Sequence, residues 1–389
     1  MNGTTELYSE YIANSYARFD VTFVRGEGAL LFDDTGKKYI DMGSGIAVNV
    51  LGYGNELWEK AVCEQTHLLA HVSNLYYTQP QADLAKQLCE RSGMKRVFFG
   101  NSGAEANECA IKTARKYSAD KHGENVRPVI ITLNNSFHGR TLATLAATGQ
   151  DSFHHSFGPF PEGFAYVNAN DIDGLKAVLD TQPVCAVMLE TVQGEGGVEP
   201  LKREYLQAVR DLTAERDILM IVDEVQTGNG RTGTLFSYQR YDWMPDIVST
   251  AKGLAGGLPI GACLLGEKVK DTLTPGSHGS TFGGNPICAA AALAVLSQLT
   301  DELLSDVKRK GKYIAAELSE LPNVESVSGR GLMLGVESDK NPKELVNALL
   351  KRGVVCLTAK NKLRLLPPLT IAWDELEEAV EIIKEELAK

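Results

Sequence analysis

Lys252 stands in DIVSTAKGLAGGLPIG (246–261) as the only ionisable side chain between Ile247 and Gly261, and four of the nine residues that follow it are glycine. A solvated lysine needs no such neighbours. A lysine whose nitrogen must reach a bulky, flat partner does, and the small residues are expected to leave room for it. Upstream, Asp223 ends the apolar run ILMIVDE, where a buried carboxylate demands a partner. Ser102 precedes Gly103 and Ala104 at the start of a helical segment, and the free N–H groups of a helix start suit a phosphate. In SFHGRT (136–141), Phe137 is suited to stack on a planar ring and Arg140 to fork onto a carboxylate. Glu195 lies between glycines in TVQGEGG, Gln226 follows Asp223 in VDEVQTG, and Ser280 and Thr281 lie among glycines in GSHGSTFGGNP. Arg364, between apolar residues in LRLLPPL, needs an anionic partner.

Each segment alone has a plain alternative: a capped helix at Ser102, a surface arginine at Arg140, an ordinary glycine-rich loop at Glu195, a solvated strand end at Lys252. Together they make a lysine, a carboxylate, a phosphate-ready helix end, a stacking aromatic and two arginines, which is what pyridoxal phosphate requires. GNGRTG (228–233) has the spacing of a dinucleotide loop, but no helix follows it and it does not begin at the strand end, so a nicotinamide oxidoreductase is set aside. A non-catalytic relative that kept the fold would be expected to have lost the lysine.

The elements that position these residues are short apolar runs alternating with helical segments. KRVFFGN, RPVIITLN, CAVMLE, ILMIVDE, DIVST and GACLLG read as buried strands, with helices at 103–120 and 202–216. Apolar strands without polar alternation, separated by helices, indicate an α/β sheet covered on both faces. Ligands of such sheets bind beyond the carboxyl ends of the strands, where the candidate residues lie. Past residue 285 come helices 285–299, 301–319, 342–352 and 374–388, with strand pieces ESVSG, LMLGVE, VVCLT and LRLLP. This is the pattern of a separate α+β lobe. Residues 1–50 are read as a segment joining the small domain, 51–285 as the large cofactor-binding domain and 286–389 as the small domain.

A length of 389 residues suits two domains. A net charge of −11 argues against nucleic acid as a main partner. Seven scattered cysteines without a C-x-x-C pair read as reduced thiols, and the seven histidines have no metal-ligand spacing, so no metal site is expected. The polar start does not read as a signal peptide and no apolar run has the length of a membrane span, which places the chain in the cytoplasm.

Over nearly its whole length the sequence resembles the class III aminotransferases of fold type I, through NSGAEAN, SFHGRT, ETVQGEGG, VDEVQTGNGRTG, TAKGLAGGLPIGA, GSTFGGNP and LRLLPPL. The resemblance implies a large domain with a mixed, mostly parallel sheet and a smaller α+β domain. It implies that Lys252 carries pyridoxal phosphate as a Schiff base and shuttles the proton, that Asp223 pairs with the ring nitrogen, and that Gln226 lies near the ring's O3′. Phe137 would stack on the ring, and Ser102, Gly103 and Ala104 would hold the phosphate. Thr281 and Ser280 would reach in from the second subunit of a homodimer. Arg140 would grip the α-carboxylate of the amine substrate. Arg364 would take a carboxylate of 2-oxoglutarate, and Glu195 would pair with Arg364 when the amine is bound. Within the class the likeness is strongest to members that move the δ-amino group of N2-acetylornithine to 2-oxoglutarate, ahead of those using succinylornithine, ornithine or 4-aminobutyrate. Ala104 stands where many relatives have threonine. Ile46 stands where the ornithine-using members have tyrosine, and Tyr16 is a possible substrate contact.

Overall fold

A computed structural model describes residues 3–389. Its centre is a seven-stranded sheet with strands, in chain order, β1 (Arg96–Gly100), β2 (Val129–Leu133), β3 (Phe164–Val167), β4 (Val184–Leu189), β5 (Leu219–Asp223), β6 (Ile247–Thr250) and β7 (Gly261–Leu265). They lie side by side in the order β1-β7-β6-β5-β4-β2-β3. All run parallel except β7, which is antiparallel to both its neighbours. The strands β2, β4, β5, β6 and β7 are buried at every position, the reason they read as unbroken apolar runs. Strand β3 was not evident in the sequence; at the sheet's edge its Tyr166 is exposed and its run is short.

The parallel strands bring their carboxyl ends to one edge, and the amino end of β7 joins them there, with Gly261 opposite Gly100. A Cβ on Gly261 would lie 2.1 Å from the carbonyl oxygen of Ser102, so only glycine lets β7 pass beneath the start of helix α1 (Gly103–His122).

The second lobe contains an antiparallel sheet in the order Val324–Arg330, Met333–Ser338, Lys362–Leu365, Leu357–Ala359. Helices Asp301–Ser319, Pro342–Lys351 and Trp373–Ala388 belong to it. A further sheet joins the two ends of the chain. Strands Phe23–Glu27, Leu30–Asp33 and Lys38–Asp41 are antiparallel, and Val354–Val355 adds to Lys38–Asp41 in parallel. VVCLT, which reads as one strand, therefore serves two sheets: Val354–Val355 pairs with the N-terminal strands and Leu357–Ala359 with Lys362–Leu365, the chain crossing over at buried Cys356.

Two features tie the lobes together. Residues Ser44, Gly45, Ile46 and Ala47 have φ of 43°, 62°, 65° and 62°, a left-handed turn that is strained for L-residues. Asp41 pins its entry, Oδ1 accepting from the amides of Gly43 and Ser44 at 2.8 Å each, and the Ser44 hydroxyl donates to the Leu366 carbonyl at 2.6 Å. The other is Arg231 of GNGRTG, 1% exposed. Its Nη1 donates to the carbonyls of Leu332 (3.0 Å) and Pro367 (2.5 Å), and its Nη2 to Ser44 Oγ (3.3 Å). This loop thus carries a buried arginine that binds three separate stretches of chain. Among the described residues no single helix is long and apolar enough to cross a membrane.

Candidate active site

A cavity of about 250 Å³ opens at the carboxyl edge of the central sheet. Gly103, Ala104, Phe137, Arg140, Glu195, Asp223, Gln226 and Lys252 line it, together with Asn107, His138, Glu190 and Val225. Most candidates from the sequence thus converge on one space, each delivered by the turn after a strand.

Asp223, the last residue of β5, is 3% exposed. Its Oδ2 accepts from His138 Nδ1 and Asn107 Nδ2, both at 2.8 Å, and its Oδ1 from the Val225 amide at 2.9 Å. Asn107 Nδ2 also donates to the His138 carbonyl at 2.7 Å, so helix α1 and the SFHGRT loop together fix the carboxylate. Asn107 Oδ1 and His138 Nε2 are buried without protein partners.

Lys252 follows β6 with φ of 42°, and Asn229 fixes the strand end by donating to Thr250 Oγ1 (3.0 Å) and the Ala251 carbonyl (2.9 Å). Burial lowers the lysine to about 8 from an ordinary 10.5, against the pull of Glu195 and Asp223 and with the push of Arg364. The glycines around it do not leave room for a ligand, as the sequence suggested. A Cβ on Gly253 would meet Val50 at 2.5 Å, one on Gly256 would meet Trp58 and Val295 at 3.1 Å, and Gly261 is filled by Ser102. They permit protein packing behind the lysine, which holds it at the cavity.

Ser102 caps α1, its Oγ accepting from the Glu105 amide at 3.2 Å. The first helical backbone bond runs from Ala106 to Ser102, leaving the amides of Gly103 and Ala104 outside the ladder and at the cavity. A Cβ on Gly103 would meet Val225 Cγ1 at 2.6 Å, so this wall is shaped around glycine.

Glu190, ending the β4 run, is buried; its Oε2 accepts from the Phe137 amide (3.1 Å) and its Oε1 from the Gly194 amide (3.2 Å). Burial pushes its carboxyl above the usual range, with the His138 ring opposing. Arg364, 3% exposed, donates from Nη1 to Glu195 Oε1 at 2.5 Å and contacts Gln226 Oε1 at 3.5 Å. Burial raises the Glu195 carboxyl, but the guanidinium outweighs it and holds it below its ordinary value. Arg140 is exposed at the cavity mouth.

Ser280 and Thr281 do not line this cavity within one chain. Ser280 Oγ accepts from Asn101 Nδ2 (3.2 Å) and the Gly283 amide (3.0 Å), while Thr281 is exposed. Tyr16 and Ile46 are also exposed and away from the cavity lining. The residues not singled out in the sequence are Asn107, His138 and Glu190. Glu190 carried the same sign as Asp223, a carboxylate ending an apolar strand.

The Aminotransferase class-III family matches residues 11–387. The chain is a class-III aminotransferase. Its sequence is 54% identical to the acetylornithine aminotransferase of Haemophilus ducreyi over 99% of this chain and 98% of the relative. It is 45% identical to that of Aquifex aeolicus, over 96% and 99%. Among solved structures, the N-acetylornithine aminotransferase of Stenotrophomonas maltophilia superposes with a TM-score of 0.85 at 36% identity, over 98% of each chain. An ornithine aminotransferase from Toxoplasma gondii, described with PLP at its active site, superposes with a TM-score of 0.94 at 32% identity, over 99% and 94%.

Like its class, this aminotransferase has fold type I and depends on pyridoxal phosphate. The cavity fits that group. It has a carboxyl group on its floor at Asp223, a lysine whose pKa burial lowers, an aromatic wall at Phe137 and open amides at the glycine-shaped start of α1.

Proposed function

We propose that this aminotransferase moves the δ-amino group of N2-acetyl-L-ornithine to 2-oxoglutarate, giving N-acetyl-L-glutamate 5-semialdehyde and L-glutamate. The observation that carries the reading is a pair of guanidinium groups: Arg140 lines the cavity and is open, while Arg364 lies outside the lining, behind Glu195 and Gln226, which do line it. One substrate brings a carboxylate far from its reacting nitrogen and an uncharged chain close to it. The other brings a carboxylate beside its reacting carbon. An uncovered arginine at the mouth serves the first, and an arginine that a glutamate can cover or release serves both. The names of the bacterial relatives support the same substrate.

When bound, pyridoxal phosphate supplies an aldehyde that takes up the amino group and a ring that draws off the electron pair left by a departing proton. Asp223, held by His138 and Asn107, would set its carboxylate at the ring nitrogen. Lys252 would hold the aldehyde carbon and serve to move the proton. Phe137 would face the ring, Gln226 its oxygen, and Ser102, Gly103 and Ala104 would hold the phosphate.

The working unit is proposed to be a homodimer in which Ser280 and Thr281 reach the neighbouring site, Thr281 on the phosphate. Phe282 beside them is exposed, as are Leu68, Leu75, Tyr76 and Tyr77 on a segment that Asn74 ties to the Ser280 and Gly283 carbonyls. An apolar surface of this kind suits a permanent interface. The free cysteines agree with a cytoplasmic location.

A panel of amines with 2-oxoglutarate and purified holoenzyme tests the reading. N2-acetylornithine is expected to have the highest kcat/KM. If it ranks well below 4-aminobutyrate or ornithine, the substrate assignment is wrong.

A further inference from the structure

We propose that Phe153 is the positioning residue that makes Arg140 a carboxylate grip, and that it thereby selects amines with a carboxylate remote from the reacting nitrogen. The inference rests on the function proposed above.

The Arg140 guanidinium carbon lies 4.1 Å from the centre of the Phe153 ring and 5.4 Å from that of Phe137. The two rings meet edge to face, with centroids 5.8 Å apart and planes at 80°. Among the described residues Arg140 has no hydrogen bond and no ion pair. An exposed arginine without polar partners ordinarily samples many rotamers, and ordering it on binding opposes affinity. Laid on an aromatic face, the guanidinium is held by cation–π attraction through its plane while its N–H edge stays free for a carboxylate.

The aromatic platform is tied to the loop it serves. Phe153 ends a short turn, Asp151–Phe153, whose preceding Gln150 donates from Nε2 to the Ser136 carbonyl at 3.0 Å. The Gly149 amide donates to Ser136 Oγ at 3.1 Å, and the Asn135 amide to the Gly149 carbonyl at 2.7 Å. On the other side of Arg140, Thr141 Oγ1 donates to Glu108 at 2.5 Å. Ring and arginine are thus parts of one bonded unit, with Phe137 joining that unit to the cavity wall.

The test compares N2-acetyl-L-ornithine with its decarboxylated analogue, N-acetylputrescine, in wild type, Phe153→Leu and Phe153→Tyr holoenzymes. Phe153→Leu is expected to raise KM for N2-acetylornithine about tenfold. kcat/KM for N-acetylputrescine, which has no carboxylate, should stay at its wild-type value, and Phe153→Tyr should restore the wild-type KM for N2-acetylornithine. Calorimetry with unreactive N2-acetyl-L-norvaline, which keeps the carboxylate and lacks the amine, should show the same roughly tenfold weakening and the same rescue. If wild type ignores N2-acetylornithine, the proposed function is overturned. If wild type uses it while Phe153→Leu keeps wild-type discrimination, or loses both amines equally, the role of Phe153 is overturned.

Discussion

Arg364 Nη1 lies 2.5 Å from Glu195 Oε1, while the buried Nε of the same guanidinium has no hydrogen-bond partner. The pair is therefore closed but not saturated. Glu195 is the more exposed member, so it is the one able to move, and its departure would leave a buried cation prepared for a carboxylate.

Glu195→Gln removes the competing charge. It is expected to lower KM for 2-oxoglutarate several-fold and to slow the half-reaction with N2-acetylornithine by about tenfold, the range of a lost charge-assisted contact. Stopped-flow absorbance of each half-reaction separates the effects. Unchanged rates in both would remove Glu195 from the mechanism.

Lys252, lowered to about 8 by burial, makes a signed prediction for the protein without cofactor. Between about pH 8 and the unfolded value near 10.5 the unfolded chain binds more protons at this site, so stability rises with pH across that window. Below pH 8 the full penalty is present, at most about 3 kcal/mol. Denaturant unfolding of wild type and Lys252→Met at pH 7.5 and pH 10 should therefore show a gap, in favour of the variant, that narrows as the pH rises. With cofactor, the variant should be inactive and lack the visible absorbance of the wild type.

Asp223→Asn keeps the shape of the side chain and removes its charge. Activity is expected to fall by about a hundredfold or more, the scale set by losing one preorganised electrostatic contact. Asn107→Ala should fall less, because His138 and the Val225 amide still hold the carboxylate. Equal losses would mean that Asn107 does more than orient Asp223. Steady-state kinetics at saturating cofactor decides this.

Arg231→Met leaves the Leu332 and Pro367 carbonyls without their buried donor. At about 1–3 kcal/mol for each orphaned group, thermal unfolding should begin several degrees lower. Arg231→Lys should recover part of the loss, since a single ammonium reaches fewer of the three acceptors.

Lys252 and Asp223 were legible because an α/β sheet concentrates its chemistry at strand ends, where a lone polar residue stands out against an apolar run; Arg364 stood out as a lone charge within an apolar strand of the second lobe, and Phe137 as the aromatic of a loop that follows a buried strand. Asn107 left no such mark. Within its helix it is one polar residue among several, and only the crossing of α1 over β5 turns it towards Asp223. Phe153 was hidden for a related reason: its turn has no periodicity, and its partner Arg140 is met across a loop closure. The split of VVCLT was hidden because both halves are apolar and nothing local records a change of sheet. The glycines after Lys252 were visible, but their purpose was misread, since what fills the space beside a glycine is known only when its neighbours are placed.

Arg231 gathers stretches 101, 136 and 187 positions away in sequence at one point. Arg364 lies three residues from Pro367 in the chain, so the strand that carries it and the loop that follows Asp223 are joined through one buried side chain, and losing Arg231 should be felt at the Arg364–Glu195 pair as well as in stability.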